Sequence, residues 1–231
     1  MVSQQVLVTQ SDPAVRDRID DVRMEVVRLA SLTTDAVAAG TQALLDGDLD
    51  AAERVVADDD GVDALRHSIE DECLRIMGRP GLSLPDLRFV GIAMRVAHEL
   101  ERSADLMVNV AKTTWRLFPY TLDPTVHRIV ERLGRQAVVQ IRVAINAFAD
   151  RDPSWAAALA DMDETIDELQ KSLYRHILSR PSSDDATVLQ AVQLSLVARH
   201  YERIGDHAVT IAGQVHYVVT GQRAAVRRAR R

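Results

Sequence analysis

The sequence predicts an all-α protein built from two tandem, pseudo-symmetric three-helix bundles, six long helices in all. Three observations predict it. The 231 residues contain only three Phe, four Tyr and two Trp, so the core must be aliphatic, which suits packed helices. Apolar residues recur at spacings of three and four through long stretches with scarce Gly and Pro. Finally, the second half of the chain repeats the first.

Residues 1–13 are polar and aperiodic and are expected to form a flexible lead-in. From Val15 the series Ile19, Val22, Val26, Leu29, Leu32, Ala36 places one apolar stripe on a helix running to about Leu45. Asp46-Gly47-Asp48 breaks it. A second helix is expected to end near Met77, where Arg79-Pro80-Gly81 removes a donor and relaxes the backbone. The third starts near Pro85 or Asp86 and runs to about Trp115. Pro119 and Pro124 cannot both lie inside one helix, so residues 117–124 are assigned as the linker between a first repeat at 14–116 and a second at 125–221. Helix four is expected from Thr125 to Ala149. Helix five ends near Leu178, a turn follows at Arg180–Ser183, and helix six continues to about Thr220. Residues 222–231 form a basic tail.

The repeat supports this division. GDLDAAERVVADDDGVDAL (47–65) aligns without gaps to RDPSWAAALADMDETIDEL (151–169), an offset of 104. AHELERSADLMVNVA (97–111) aligns to ARHYERIGDHAVTIA (198–212), an offset of 101. The difference of three fits in the turn between the second and third helix of each half, where length changes cost little. Long helices joined by short turns lie antiparallel, so each half should be a bundle and the two should stand side by side.

Composition narrows the function. A net charge of −6 argues against a nucleic-acid-binding surface. The exception is the tail with Arg227, Arg228, Arg230 and Arg231, either a solvated terminus or an electrostatic contact for an acidic partner or membrane surface. Cys73 is alone, which excludes an intramolecular disulfide and fits a reducing compartment; it is expected as a small buried hydrophobe. No stretch approaches the ~20 apolar residues of a membrane span, and no signal peptide is seen, so a cytoplasmic protein is expected.

Acidic residues recur four apart in four places: Asp59 with Asp63, Glu101 with Asp105, Asp163 with Asp167, Glu202 with Asp206. On a helix such residues share a face and repel each other. Because the second and third helices of each half run antiparallel, the pairs sit at matching depths. Asp59, Asp63, Glu101 and Asp105 could form one oxygen-rich patch, and Asp163, Asp167, Glu202 and Asp206 another, each suited to a cation. Without Cys or paired His, a tetrahedral structural zinc site is not expected; the donor set alone leaves Mg²⁺, Ca²⁺, Mn²⁺ or iron open. One acidic pair would read as a solvated face, with Arg102 or Arg203 pairing locally. Four pairs in matching positions weigh against that. His98, three residues before Glu101, could join or orient the first patch. Glu164 is a lesser additional candidate ligand, Asp58 and Asp60 read as surface charge, and His200 and His207 receive no role.

The motifs LERSADLMVNVA and YERIGDHAVTIA resemble the paired signature of the PhoU family, roughly E-R-I-G-D-x-x-x-N-I-A once per half. The second carries Glu202, Arg203, Ile204, Gly205 and Asp206 in full. The first keeps Glu101, Arg102, Asp105 and Asn109 but has Ser103 and Ala104 for Ile-Gly, and Thr210 replaces the usual Asn in the second. Asp59–Asp63 and Asp163–Asp167 match the family's D-x-x-V-D pattern. The resemblance covers the chain apart from about a dozen N-terminal residues and the arginine tail. It implies two three-helix bundles with acidic metal-binding faces, carrying iron or zinc clusters in some members, with the eight carboxylates as ligands. Asn109 would then lie beside the first cluster, and Thr210 could bond differently at the second. It further implies a negative regulator of the phosphate-starvation response and of phosphate uptake. Such a protein is an adaptor between the ATPase of the high-affinity phosphate ABC transporter and a phosphate-sensing histidine kinase. It often forms a homodimer, meets the membrane only through partners, binds no nucleic acid and is not an enzyme. The residues agree in showing no glycine-rich phosphate loop and no Ser/His/Asp or Cys/His set. The competing readings are a carboxylate-bridged metalloenzyme and a metal-free helical scaffold. The enzyme reading lacks the Glu-x-x-His motifs usual on such bundles: Glu99 is followed three residues on by Arg102, and Glu202 by Gly205. An exposed apolar helix face would favour the adaptor, and a closed cavity the enzyme.

Overall fold

The computed structural model describes residues 11–179 and 184–220; the first ten residues, the turn expected at Arg180–Ser183 and the arginine tail lie outside the described residues. Six helices follow one another: α1 (Pro13–Asp46), α2 (Leu49–Met77), α3 (Leu84–Leu117), α4 (Pro124–Asp150), α5 (Trp155–Leu178) and α6 (Asp185–Thr220).

Local chemistry sets the starts. Asp12, Asp48, Ser83 and Asp123 each accept a hydrogen bond from the exposed backbone N–H groups of the first turn, and α1, α3 and α4 carry Pro just inside it. α1 and α4 therefore begin slightly ahead of the expected Val15 and Thr125, because proline is tolerated where the missing N–H would have no helical partner. Ser11, from the stretch expected to be flexible, is buried, and its hydroxyl accepts a hydrogen bond from Ser83 N at 2.8 Å. α3 runs to Leu117, two residues beyond Trp115. It stops at Phe118, which precedes Pro119 in an extended conformation and a cis peptide. Left-handed residues end α1 and α4 at equivalent places in the repeat: Gly47 at φ 65° and Arg151 at φ 53°. Glycine adopts this conformation freely, whereas Arg151 does so with its guanidinium 4.3 Å over the ring of Phe89.

The helices α1, α2 and α3 pack mutually, as do α4, α5 and α6. The halves meet through α3 against α6 and α1 against α4. One buried aliphatic cluster runs continuously from Val15 in α1 to Val215 in α6, so the two bundles share a core. Cys73 is fully buried within it. Polar contacts also cross the seam, one of them fully buried. Tyr201, 0 % exposed, has its hydroxyl 2.7 Å from Thr41 Oγ1. Thr41 itself donates to Val37 O, so the tyrosine O–H is the donor. Gly134 allows this approach of α1 and α4: a Cβ there would stand 2.4 Å from Thr41 Oγ1.

Candidate functional site

The two acidic quartets occupy corresponding faces of the halves, at α2/α3 and α5/α6. Asp59, Asp63 and Glu101 are half-buried and Asp105 is exposed; Asp163, Asp167 and Glu202 are half-buried and Asp206 is exposed. Each set is close enough to interact as like charges. Burial, then the charges of Asp105, Asp63 and Glu101, push Asp59 up to about 6. Burial, then Asp206, Asp167 and Glu202, push Asp163 up to about 7. Glu101 and Asp105 are raised as well, burial first and a neighbouring carboxylate second. These are the groups the i, i+4 spacing places together.

Beside each quartet stands one basic residue three positions before the glutamate, at matching positions of the repeat. His98 Nδ1 lies 3.2 Å from Glu101 Oε2, and Arg199 Nη1 pairs with Glu202 Oε1. The first contact lacks the alignment of a hydrogen bond, so Glu101 Oε2 is buried without one. Arg102 pairs with Glu99 at 3.2 Å, outside the quartet, rather than with Glu101. Asn109 donates from Nδ2 to Asp105 O, and Thr210 from Oγ1 to Asp206 O. Both bond back along their own helix by four residues, so the Asn-to-Thr departure leaves this contact in place. Glu164, Asp58 and Asp60 are exposed at the margins.

The donor set of both faces is all oxygen, and each holds a carboxylate that burial, then like-charge neighbours, pushes up, Asp59 to about 6 and Asp163 to about 7. That chemistry fits a hard divalent cation or iron, which would offset the repulsion. Among the described residues no three His, Cys, Asp or Glu side chains are gathered tightly enough to enclose an ion. The faces are therefore open in form.

The halves differ in detail. At the second face Gly205 lets α6 approach closely: a Cβ would stand 2.9 Å from Gln140 Oε1 and 3.0 Å from Asp163 Oδ1. Its counterpart in the first half is Ala104. Ser103, the other departure there, is buried at the seam, with its hydroxyl 3.0 Å from His207 Nδ1. No role was expected for His207, Gln140 or Arg199 from the sequence; comparing the halves at their offsets is the one signal that marks them.

A model described as the PhoU domain matches residues 26–114 and again 130–215. The chain belongs to the PhoU family. Each PhoU match contains one complete acidic quartet. The chain is 30% identical over 196 residues to the phosphate-specific transport system accessory protein PhoU homolog of Rhizobium meliloti, spanning 85% of this chain and 83% of that one. It is 28% identical over 221 residues to the protein of that name in Pseudomonas aeruginosa, at 96% and 91% coverage. The crystal structure of PhoU from Pseudomonas aeruginosa superposes with a TM-score of 0.83 at 29% identity, covering 90% of this chain and 99% of that one. PhoU from Streptococcus pneumoniae shares the fold, at a TM-score of 0.81 and 24% identity, over 90% and 98%.

Proposed function

We propose that this chain is a cytoplasmic negative regulator of phosphate uptake and of the phosphate-starvation response. It acts by binding proteins: the ATPase of the phosphate ABC transporter on one side and a phosphate-sensing histidine kinase on the other, as a homodimer. The observation that carries this reading is membership of the PhoU family through two matches in register, each with its acidic face. The surface supports an adaptor over an enzyme with a closed cavity. A cleft of about 620 Å³ opens between the α4 start, the α5 end and the first turns of α6, lined by Tyr174, Ile177, Val192 and Leu196 among others. Leu178, 83% exposed, and the exposed Val188 and Leu189 extend its apolar surface. No helix among the described residues is long and apolar enough to cross a membrane.

In this reading the acidic faces hold metal ions, iron or zinc, or Mg²⁺, Mn²⁺ or Ca²⁺. Asp59, Asp63, Glu101 and Asp105 supply the first set of ligands, and Asp163, Asp167, Glu202 and Asp206 the second. A bound ion would supply positive charge to offset the repulsion between carboxylates of two helices. The chain's own residues then set the response. The i, i+4 pairs place four carboxylates on each face, and His98 and Arg199 each stand beside one glutamate.

Deleting the gene and following a phosphate-starvation reporter in high phosphate tests the regulator. Constitutive expression, restored to silence by the wild-type gene, is the expected result; a reporter that stays silent without any second homologue would overturn it. Complementing with Glu202→Ala/Asp206→Ala asks whether the second face is needed. Failure to restore silence, with the variant folded, is expected.

A further inference from the structure

Gln140 in α4 is 0% exposed, yet neither its Oε1 nor its Nε2 has a hydrogen-bond partner. A buried amide left unpaired on both ends is rare in folded proteins and calls for a partner from outside the chain, a water or an ion. Its surroundings say what. The amide ends beside Gly205 of α6 and Asp163 of α5: a Cβ at Gly205 would stand 2.9 Å from Gln140 Oε1 and 3.0 Å from Asp163 Oδ1. Two oxygens, together with the Ile166 Cδ1 methyl at 3.2 Å, thus line the space that Gly205 leaves open, at the inner edge of the second acidic face.

The first half lacks both parts of this arrangement. Buried positions of α4 coincide with those of α1 when shifted by 104, as in Ala137–Ile141–Ala144 against Thr33–Val37–Gly40, so the counterpart of the buried Gln140 is Ala36, which is half-buried. The counterpart of Gly205 is Ala104. Where the second half has a long amide and the space to hold it, the first has a methyl and a second methyl. The two differences lie on different helices and complement each other. A third points the same way. Arg199 pairs with Glu202 through a permanent charge, whereas the residue at the matching position beside Glu101 is His98, with the charge of Arg66 also acting on that glutamate. With one carboxylate already engaged, a neutral oxygen restores the donor count without adding repulsion.

We propose that Gln140 is a ligand of the second acidic site, its amide oxygen joining Asp163 in holding an oxygen-seeking divalent cation, so that the two sites of the chain are chemically distinct. Amide carbonyls beside carboxylates are common donors to Ca²⁺ and Mn²⁺. This rests on the metal-binding reading above. It adds a third helix, α4, to a site otherwise drawn from α5 and α6. An ion there would tie all three helices of the second bundle together, which one at the first site could not do.

The test is Mn²⁺ titration of the metal-free, full-length protein by calorimetry, with free Mn²⁺ counted by electron paramagnetic resonance. One background carries Asp59→Asn/Asp105→Asn, which leaves the second site alone; the other carries Asp163→Asn/Asp206→Asn, which leaves the first. Gln140→Leu keeps the side-chain volume and removes the amide. It is expected to weaken Mn²⁺ binding at least tenfold in the first background and to leave the second unchanged. Melting of the metal-free protein supplies a second readout: Gln140→Leu should raise its Tm, because two unpaired polar atoms leave the core. Gly205→Ala, which rebuilds the first half's residue on a helix that favours alanine, should weaken the second site likewise. If the wild type binds Mn²⁺ at both sites and Gln140→Leu matches it, Gln140 is no ligand while the metal reading stands. If the wild type binds none, both fall together.

Discussion

Ser103 and His207 sit 104 residues apart and meet at the α3/α6 seam, with Ser103 Oγ 3.0 Å from His207 Nδ1. The serine hydroxyl also lies 2.7 Å from Glu99 O and donates to it, so its lone pair receives the imidazole Nδ1–H. That assigns the neutral tautomer and leaves Nε2 bare, 3.8 Å from Glu99 Oε2. At the equivalent positions of the other half the residues are Ile204 and Leu106, both buried and apolar. The Ser103 departure from the family signature is therefore half of a polar pair whose other half lies in the second repeat.

Ser103→Ala should leave the His207 Nδ1–H buried and unpaired, at a cost of about 1–3 kcal/mol in denaturant unfolding. The double variant Ser103→Ala/His207→Leu should cost less than the sum of the single changes. Strict additivity in the double-mutant cycle would show that the pair does not interact.

His207 also makes the fold acid-sensitive. Burial, then the nearby Arg102, Arg203 and His98, lower it from 6.5 to about 4, while Glu99 is the facing acid. The unfolded chain binds a proton at higher pH than the folded one, so stability is full above about 6.5 and lost as pH falls towards 4. The loss at the acid end is on the order of 3 kcal/mol. Unfolding followed between those limits should show this slope in the wild type and a flatter one in His207→Leu. Equal slopes would assign the proton elsewhere.

The acidic faces act in the opposite sense. Asp163 stays neutral in the folded, metal-free protein up to about 7, against 3.8 for the free side chain. The folded state then holds the extra proton. Its contribution is full below the lower value and is lost as pH rises through the upper one. Compared with Asp163→Asn, the metal-free wild type should lose melting temperature steadily from pH 4 to 7. A constant difference would mean that Asp163 ionises normally.

At the other crossing, Gly134→Ala would set a methyl 2.4 Å from Thr41 Oγ1 and displace the side chain that receives the Tyr201 hydroxyl. Overpacking of this kind costs about 1–3 kcal/mol. The check is chemical denaturation, in which an unchanged midpoint would show that α1 and α4 separate easily.

Much of this architecture is legible in the chain because it is written in local terms. The helix ends follow Pro and Gly at Gly47, Pro80, Pro119 and Pro124, and the acidic quartets follow from i, i+4 spacing repeated in register. What escapes such a reading joins residues far apart. A lone Gln140 in an ordinary helix has no motif, and nothing local connects Ser103 to His207 or Thr41 to Gly134. The seam is specified by pairs, each unremarkable alone, and only three-dimensional packing makes them partners.

The continuous core has a last consequence for how far the two halves remain interchangeable. A molecule assembled from two copies of the second half would set Ile204 where Ser103 now receives His207, stranding an imidazole in hydrocarbon at each crossing. One assembled from two copies of the first would lack both Gly205 and Gln140. The repeats have thus become a matched left and right, related in ancestry of pattern but no longer spare parts for each other.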